Sequence, residues 1–348
     1  MIPFEAIRIL ILFALSFIVA LFITPFVLRL LLKFGIKKNN IRGPETAPVF
    51  HQFHKNKGET PTMGGVIVWG TVVILALLFF VSGKLFGGFA NYFNFVSRSE
   101  TYLPLGYLVF AAIVGLVDDV LGVLRIGPKG GGLSMRHKIL MYAVVSAVGA
   151  WWFYFRLGWN TMYIPFIGDI TIGWWYIPLF MFVIIASAFS TNETDGLDGL
   201  AGGTLFFIFG AFAVIAFTLK HFDLAALNVV ILGALLAFLW YNIYPAKFFM
   251  GDTGSMSLGI TVGAMAMLTN TAFFLPLFGS ILVFESATVI IQMLSKKIRK
   301  KKIFLSTPIH HHFEALGWPE TQITMRFWFI TAVSTTVGLA LFFIARFI

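Results

Sequence analysis

Two aspartates stand side by side in "AIVGLVDDVLG", Asp118 and Asp119, where a long uncharged run ends. Like charges about 4 Å apart repel by roughly 4 kcal/mol at an effective dielectric near 20. Either one carboxyl keeps its proton or a cation is bound, unless both simply reach water at an interface. Three other motifs concentrate polar chemistry. "NETDGLDGLAGG" sets Asp195 and Asp198 among Gly196, Gly199 and Gly202. Glycines let backbone N–H groups turn toward a ligand, and a helix starting there would favour a phosphate; a simple helix cap is the plainer role for either aspartate. "FFMGDTGSMSLG" places Asp252 between Gly251 and Gly254, with Thr253 and Ser255 as hydrogen-bond donors or caps. Magnesium takes carboxylate oxygens, keeps several waters and is commonly shared with substrate phosphates, so one or two of Asp118, Asp119 and Asp252 would suffice to hold it. "PIHHHFE" holds His310, His311 and His312. Consecutive residues cannot easily offer three imidazoles to one tetrahedral zinc ion; binding to phosphate oxygens, or to their own loop, suits them better.

The elements that must position these groups are set by composition. The chain has 348 residues, 59% hydrophobic and only 11% charged. A soluble domain cannot hide that much apolar surface, and runs of about 20 apolar residues match a bilayer core of roughly 30 Å. The expected fold is all-α, a polytopic membrane protein forming one integral domain over residues 1–348. Ten spans are expected, at about 7–32, 62–82, 102–120, 138–156, 174–190, 199–219, 223–243, 255–269, 271–294 and 325–346. The first is too long for a signal-peptide core and has no small-residue cleavage site, so it is expected to stay. The eighth, short and glycine-containing, suits tight packing against neighbours.

Most lysines and arginines fall in the loops joining spans 1 to 2, 3 to 4, 7 to 8 and 9 to 10. This puts those loops in the cytoplasm and both termini outside. All four polar motifs then share the cytoplasmic face. The net charge of +10 is read as basic loops meeting anionic headgroups rather than as a nucleic-acid surface. With no cysteine, disulfides, haem thiolates and cysteine-zinc sites are excluded. Asn242 and Gln292 carry amides able to read a base or sugar edge, Phe249 can stack on a ring, and Lys57 can reach a phosphate; helix packing or simple solvation is the alternative for each. Glu285 lies in mid-span, where an unpaired charge costs about 3 kcal/mol, so it is protonated, paired or facing a cleft.

No Walker A motif, nicotinamide fingerprint or Ser-His-Asp spacing is present. Acids with a hard cation, phosphate-friendly helix starts and a site at the lipid–water boundary fit phosphoryl transfer between a soluble nucleotide and a lipid. A transporter would place its polar residues near the midplane, whereas these motifs lie at one membrane edge.

The motifs "TPTMGG" (60–65), "VDDVLG" (117–122), "TDGLDGLA" (194–201), "FMGDTGS" (249–255), "PIHHHFE" (308–314) and "GWPETQITMRFW" (317–328) resemble, in the same order, the polyprenyl-phosphate N-acetylhexosamine-1-phosphate transferases. The unbroken "HHHFE" and the "GWPETQ" stretch favour the phospho-N-acetylmuramoyl-pentapeptide-transferase branch over sister enzymes using peptide-free donors. The resemblance implies transfer of phospho-N-acetylmuramoyl-pentapeptide from UDP-MurNAc-pentapeptide to undecaprenyl phosphate, giving lipid I and UMP with magnesium. It also implies ten spans in the bacterial cytoplasmic (inner) membrane, and often a homodimer. By matching position, Asp252 is the magnesium ligand, Asp118 and Asp119 the essential pair, and His310, His311 and His312 the histidine motif. Lys57, Asn192, Asp195, Gly196, Leu197, Asp198, Asn242, Phe249 and Gln292 match positions tied to the uridine or diphosphate. The chain departs from the family at Phe189 and Glu193, where Asn and Leu are usual. It departs again at Gly122, where a lysine is usual and Arg125 or Lys129 would have to substitute.

Overall fold

A computed structural model of the chain describes residues 2–37, 60–97, 100–128 and 131–347. In chain order it runs α1 (Ile2–Lys33), α2 (Gly65–Phe86), a short α3 (Gly88–Tyr92), α4 (Tyr102–Val123) and α5 (Met135–Trp151), which continues as a π-helical turn to Arg156. A hairpin of β1 (Thr161–Ile164) and β2 (Gly168–Thr171) follows, then α6 (Tyr176–Thr194), α7 (Leu200–Thr218), α8 (Phe222–Asn242) and α9 (Gly251–Leu268). The chain closes with α10 (Leu275–Phe278), α11 (Ser280–Ile298), α12 (Ile309–Ala315) and α13 (Glu320–Phe347). This is an all-α polytopic membrane protein: among the described residues eight helices are long and apolar enough to cross a membrane, or nine if one bent pair counts as a single span.

Burial ranks the helices. The most apolar window of α8 is 78% buried, that of α1 only 22%, so α8 is central and α1 faces outward. At the middle stands α9, which falls short of the apolarity of a span but is buried along nearly its whole length. It is the eighth of the ten expected spans, and its small residues explain the low hydropathy: Gly259 and Gly263 lie against the backbones of Ala188 and Ile184, and Gly254 against Gly65. Backbones that touch in this way leave no room for larger side chains.

Two elements differ from the expected pattern. The span expected at 271–294 is broken at Gly279, where α10 and α11 meet at 90°. Gly279 leaves the helical region and the helix restarts at Ser280. The restarted α11 is two-faced: Glu285, Gln292 and Ser295 are buried while Phe284, Ile291 and Leu294 are exposed. The hairpin was the second surprise. It is pinned by Asn270, which accepts from the amide of Tyr163 at 2.9 Å, and by Tyr163, whose hydroxyl donates to the Ala345 carbonyl.

These contacts order the molecule end to end. Helix α9 starts at Gly251 and reaches the hairpin just past its end, roughly 27 Å away at 1.5 Å per residue. Near α1's start, Arg8 binds Asp223 at the beginning of α8, at 2.7 Å. Both chain ends therefore lie at the hairpin end of the bundle, opposite the start of α9, as expected for termini on the far side from the polar motifs.

At that far end His221 and Glu100 form a pair, Nδ1 to Oε1 at 3.2 Å, and Glu100 also accepts from the Leu224 amide at 3.1 Å. Burial pushes the Glu100 carboxyl up, but His221 and the Leu224 and Asp223 amides outweigh it and leave the group below its ordinary 4.5. The hydrogen bond to Glu100, and its charge, hold His221 above its ordinary 6.5 despite partial burial. A raised histidine stabilises fully below its unfolded value and loses that contribution as pH rises through its folded value; a lowered carboxyl stabilises above its unfolded value and loses it on acidification. The pair therefore contributes most between 4.5 and 6.5. Its half-exposed setting keeps the effect small, at most about 1 kcal/mol. His221→Gln should lower the melting temperature of detergent-solubilised protein near pH 5.5–6, and much less near pH 9. An equal loss at both pH values would refute the assignment.

Candidate active site

Asp118 and Asp119 occupy the last turns of α4, and Asp252 lies in the first turn of α9, which starts before the span expected at 255–269. The two helices cross closely because Gly115, one turn before Asp119, has no side chain: a Cβ there would collide with the Asp252 carbonyl. Asp119 caps α9, its Oδ1 accepting from the Asp252 amide at 3.1 Å and its Oδ2 from the Thr253 amide at 2.9 Å. A carboxylate at that position also meets the positive end of the helix dipole. Gly251 makes the turn into α9 with φ +72°, and a Cβ there would crowd Asp119 Oδ2 at 2.7 Å and Thr62 Oγ1 at 2.8 Å.

Lys138, from the first turn of α5, joins the other two acids. Its Nζ lies 2.7 Å from Asp118 Oδ2 and 2.7 Å from Asp252 Oδ2. Asp118 is buried, and its Oδ1 accepts from the Leu133 amide, so the segment before α5 folds over it. Asn192, in the last turn of α6, donates to Asp252 Oδ1 and to Ser255 Oγ. Asp195 Oδ2 accepts from the Gly251 amide at 3.2 Å. Helices α4, α5 and α9 thus hold two carboxylates on one ammonium, and α6 adds Asn192.

These groups line a cavity of about 670 Å³. Asn192, Asp195, Gly196, Leu197, Phe249, His310 and His311 share its wall with the three aspartates, and Val289 and Met293 of α11 supply an apolar side. A space of that size suits a small-molecule substrate. Its oxygen donors suit a hard cation, and Asp118 and Asp252 already clasp one positive group between them. Among the described residues no three His, Cys, Asp or Glu side chains form a closed metal cage.

Other expected site residues are spent elsewhere. Asp198 is buried and accepts from the Ala246 amide at 3.0 Å. The N–H groups expected to face a phosphate at the start of α7 are also engaged: the Asp198 amide donates to Glu320 Oε1 at 2.6 Å and the Gly199 amide to Asn242 Oδ1 at 3.1 Å. Asn242 uses its other end on the Phe248 carbonyl, at 2.8 Å. Gln292 donates to the Phe304 carbonyl at 2.8 Å and accepts from the Ile303 and Phe304 amides. None of these three side chains lines the cavity; they tie its loops down. His312 turns away as well, its Nδ1 accepting from the Leu305 amide at 3.2 Å. The three histidines thus point to separate partners, Glu285, Glu314 and the Leu305 amide. Lys57 lies outside the described residues.

Sequence reasoning missed Lys138. Arg125 or Lys129 was expected to replace the lysine missing at Gly122; Arg125 is exposed and does not line the cavity, and Lys129 lies outside the described residues. The signal was present: a lysine in an apolar run at the head of a span needs a carboxylate partner. Glu285 resolves as paired, with His310.

Comparison with known proteins adds an independent line. A profile described as Glycosyl transferase family 4 matches residues 102–270. Among curated proteins, a phospho-N-acetylmuramoyl-pentapeptide-transferase of Chloroflexus aggregans (strain MD-66 / DSM 9485) is 36% identical over 312 residues, covering 86% of this chain and 81% of its own. The protein of that name from Clostridium perfringens (strain 13 / Type A) is 38% identical over 331 residues, covering 93% and 96%. That from Geobacillus kaustophilus (strain HTA426) is 35% identical over 330 residues, covering 94% and 95%.

Proposed function

This chain belongs to the phospho-N-acetylmuramoyl-pentapeptide-transferase family, and on that premise we propose how its residues carry the reaction. The reaction is transfer of phospho-N-acetylmuramoyl-pentapeptide from UDP-MurNAc-pentapeptide to undecaprenyl phosphate, forming lipid I and UMP in the first membrane step of peptidoglycan synthesis. The observation that supports this course is the meeting of Asp118 and Asp252 on Lys138 in the wall of one large cavity.

Asp119 has both oxygens committed to the amides that start α9. Asp118 is therefore the better-placed base. Its Oδ2 faces the Lys138 ammonium at 2.7 Å, which a phosphate can draw away. Asp118 takes the proton of the lipid phosphate, and the freed oxygen attacks the β-phosphorus of the donor. The bond to the bridging oxygen breaks and UMP leaves. Lys138 and the cavity-lining His310 and His311 offset phosphate charge, and Asn192 fixes the Asp252 carboxylate. Magnesium, held by Asp252 with Asp118 beside it, would neutralise the diphosphate and stabilise the leaving group. Gly196, Leu197 and Phe249 line the donor's side of the cavity, and the apolar Val289 and Met293 suit the lipid's. The reading places the cavity at the cytoplasmic face of the inner membrane, on the strength of the basic loops, and takes the active form as a homodimer, following the family resemblance.

The test is to incubate purified protein with magnesium, undecaprenyl phosphate and UDP-MurNAc-pentapeptide. UMP and a lipid-linked muramoyl-pentapeptide are expected. No product, or product only from a peptide-free UDP-N-acetylhexosamine, would overturn the reading.

A further inference from the structure

Glu285 is a carboxylate that folding would be easier without. It lies in α11 with no exposure, in a bent helix pair apolar enough to span a membrane, where a charged side chain is costly and calls for a partner. That partner is His310, whose Nδ1 is 2.9 Å from Glu285 Oε2. The other carboxylate oxygen, Oε1, has no hydrogen-bond partner among the described residues. One residue on, the arrangement repeats: His311 Nδ1 is 2.6 Å from Glu314 Oε2, and the two imidazole rings are 4.0 Å apart. Both histidines line the cavity that holds Asp118 and Asp252.

A carboxylate on Nδ1 holds a proton on that nitrogen and sets how the ring is turned. For His310 the opposite edge, bearing Nε2, rests on Gly196 at the cavity wall, where any Cβ would collide with that atom. The ring is therefore fixed from both sides, by an acceptor behind and a residue without a side chain in front. Glu285 Oε2 also takes the His310 amide at 3.5 Å, but Gln could accept there without burying a carboxylate.

We propose that Glu285 is a positioning residue for phosphoryl transfer: accepting from Nδ1–H, it fixes the orientation of His310 and holds the ring doubly protonated, so that the cavity wall at His310 presents positive charge to a phosphate of the nucleotide donor. The inference rests on the transferase reading above. Glu285 does not itself touch substrate, so its removal misorients His310 and leaves the rest of the cavity in place.

The test is a double-mutant cycle in the full-length protein, pairing Glu285→Leu and Glu285→Gln with His310→Gln, read by steady-state kinetics and thermal melts. Glu285→Leu should lower kcat about a hundredfold, the scale of a misplaced group, with the donor KM within roughly threefold. Glu285→Gln still accepts from Nδ1 and should recover kcat to within about tenfold of wild type. In the His310→Gln background neither change at 285 should cost anything further, because the residue acts through His310. Losses that multiply across the two sites, a Glu285→Leu variant with wild-type kcat, or a loss that follows the melting temperature and is not rescued by Gln would each overturn the proposal. Should Glu285→Leu fail to fold, the Gln arm of the cycle decides alone. Wild-type protein that forms no lipid-linked product would instead count against the transferase reading, so the two failures are distinguishable.

Discussion

Asp252→Ala should lower turnover by about a thousandfold, on the scale of removing one preorganised charge-stabilising group from an active site, while the protein still folds. The side chain sits in the first turn of α9, held by Lys138 on Oδ2 and by Asn192 on Oδ1. Every partner it loses has another. Lys138 keeps Asp118 at 2.7 Å, and Asn192 keeps Ser255 at 3.0 Å. The helix start is capped by Asp119, so α9 needs nothing from the side chain of Asp252. The loss therefore falls on chemistry, and UMP release at saturating substrates should collapse with little change in the melting temperature. Turnover within tenfold of wild type would remove Asp252 from the mechanism.

Lys138→Met should damage the fold as well as the reaction. The Lys138 side chain is mostly buried between two carboxylates, and Asp118 has 1% side-chain exposure. Removing the ammonium leaves a buried charge without compensation, a change that costs about 3–5 kcal/mol. The expected result is a clear drop in melting temperature together with loss of activity. Adding Asp118→Asn to Lys138→Met removes the stranded charge and should restore much of the stability but none of the turnover. A Lys138→Met protein as stable as wild type would show that the ammonium is not the tie between α4, α5 and α9.

The two variants divide along what the sequence made legible. Apolar runs near the length of a bilayer core marked the spans within a few residues, because hydrophobic length is a property of the chain itself. The break at Gly279 was not legible: one glycine in a long apolar run bends a helix only if neighbours hold the halves apart, and those neighbours are remote. The hairpin at 161–171 was lost among aromatic residues with no strong turn signal. At the site, residue types revealed the acids, since carboxylates at the ends of apolar runs need a reason. Direction was hidden. Asp198, Asn242 and Gln292 carry the right groups for a ligand yet spend them on Ala246, Gly199, Phe248 and Phe304. Lys138 looked like one more loop cation until α5 laid it against Asp118 and Asp252. Hydrogen-bond capacity is written in the sequence, while the choice between backbone and substrate is made by packing.

The central claim is that Asp252, gathered with Asp118 beside Lys138, holds a divalent ion together with the donor's diphosphate. Mn²⁺ in place of magnesium reports this directly by electron paramagnetic resonance, titrated into purified protein with UDP-MurNAc-pentapeptide present. Wild type should take up Mn²⁺ at one site per chain, more tightly with the donor than without it, and Asp252→Ala should lose that uptake. Equal Mn²⁺ binding by wild type and Asp252→Ala, or binding indifferent to the donor, would contradict the account.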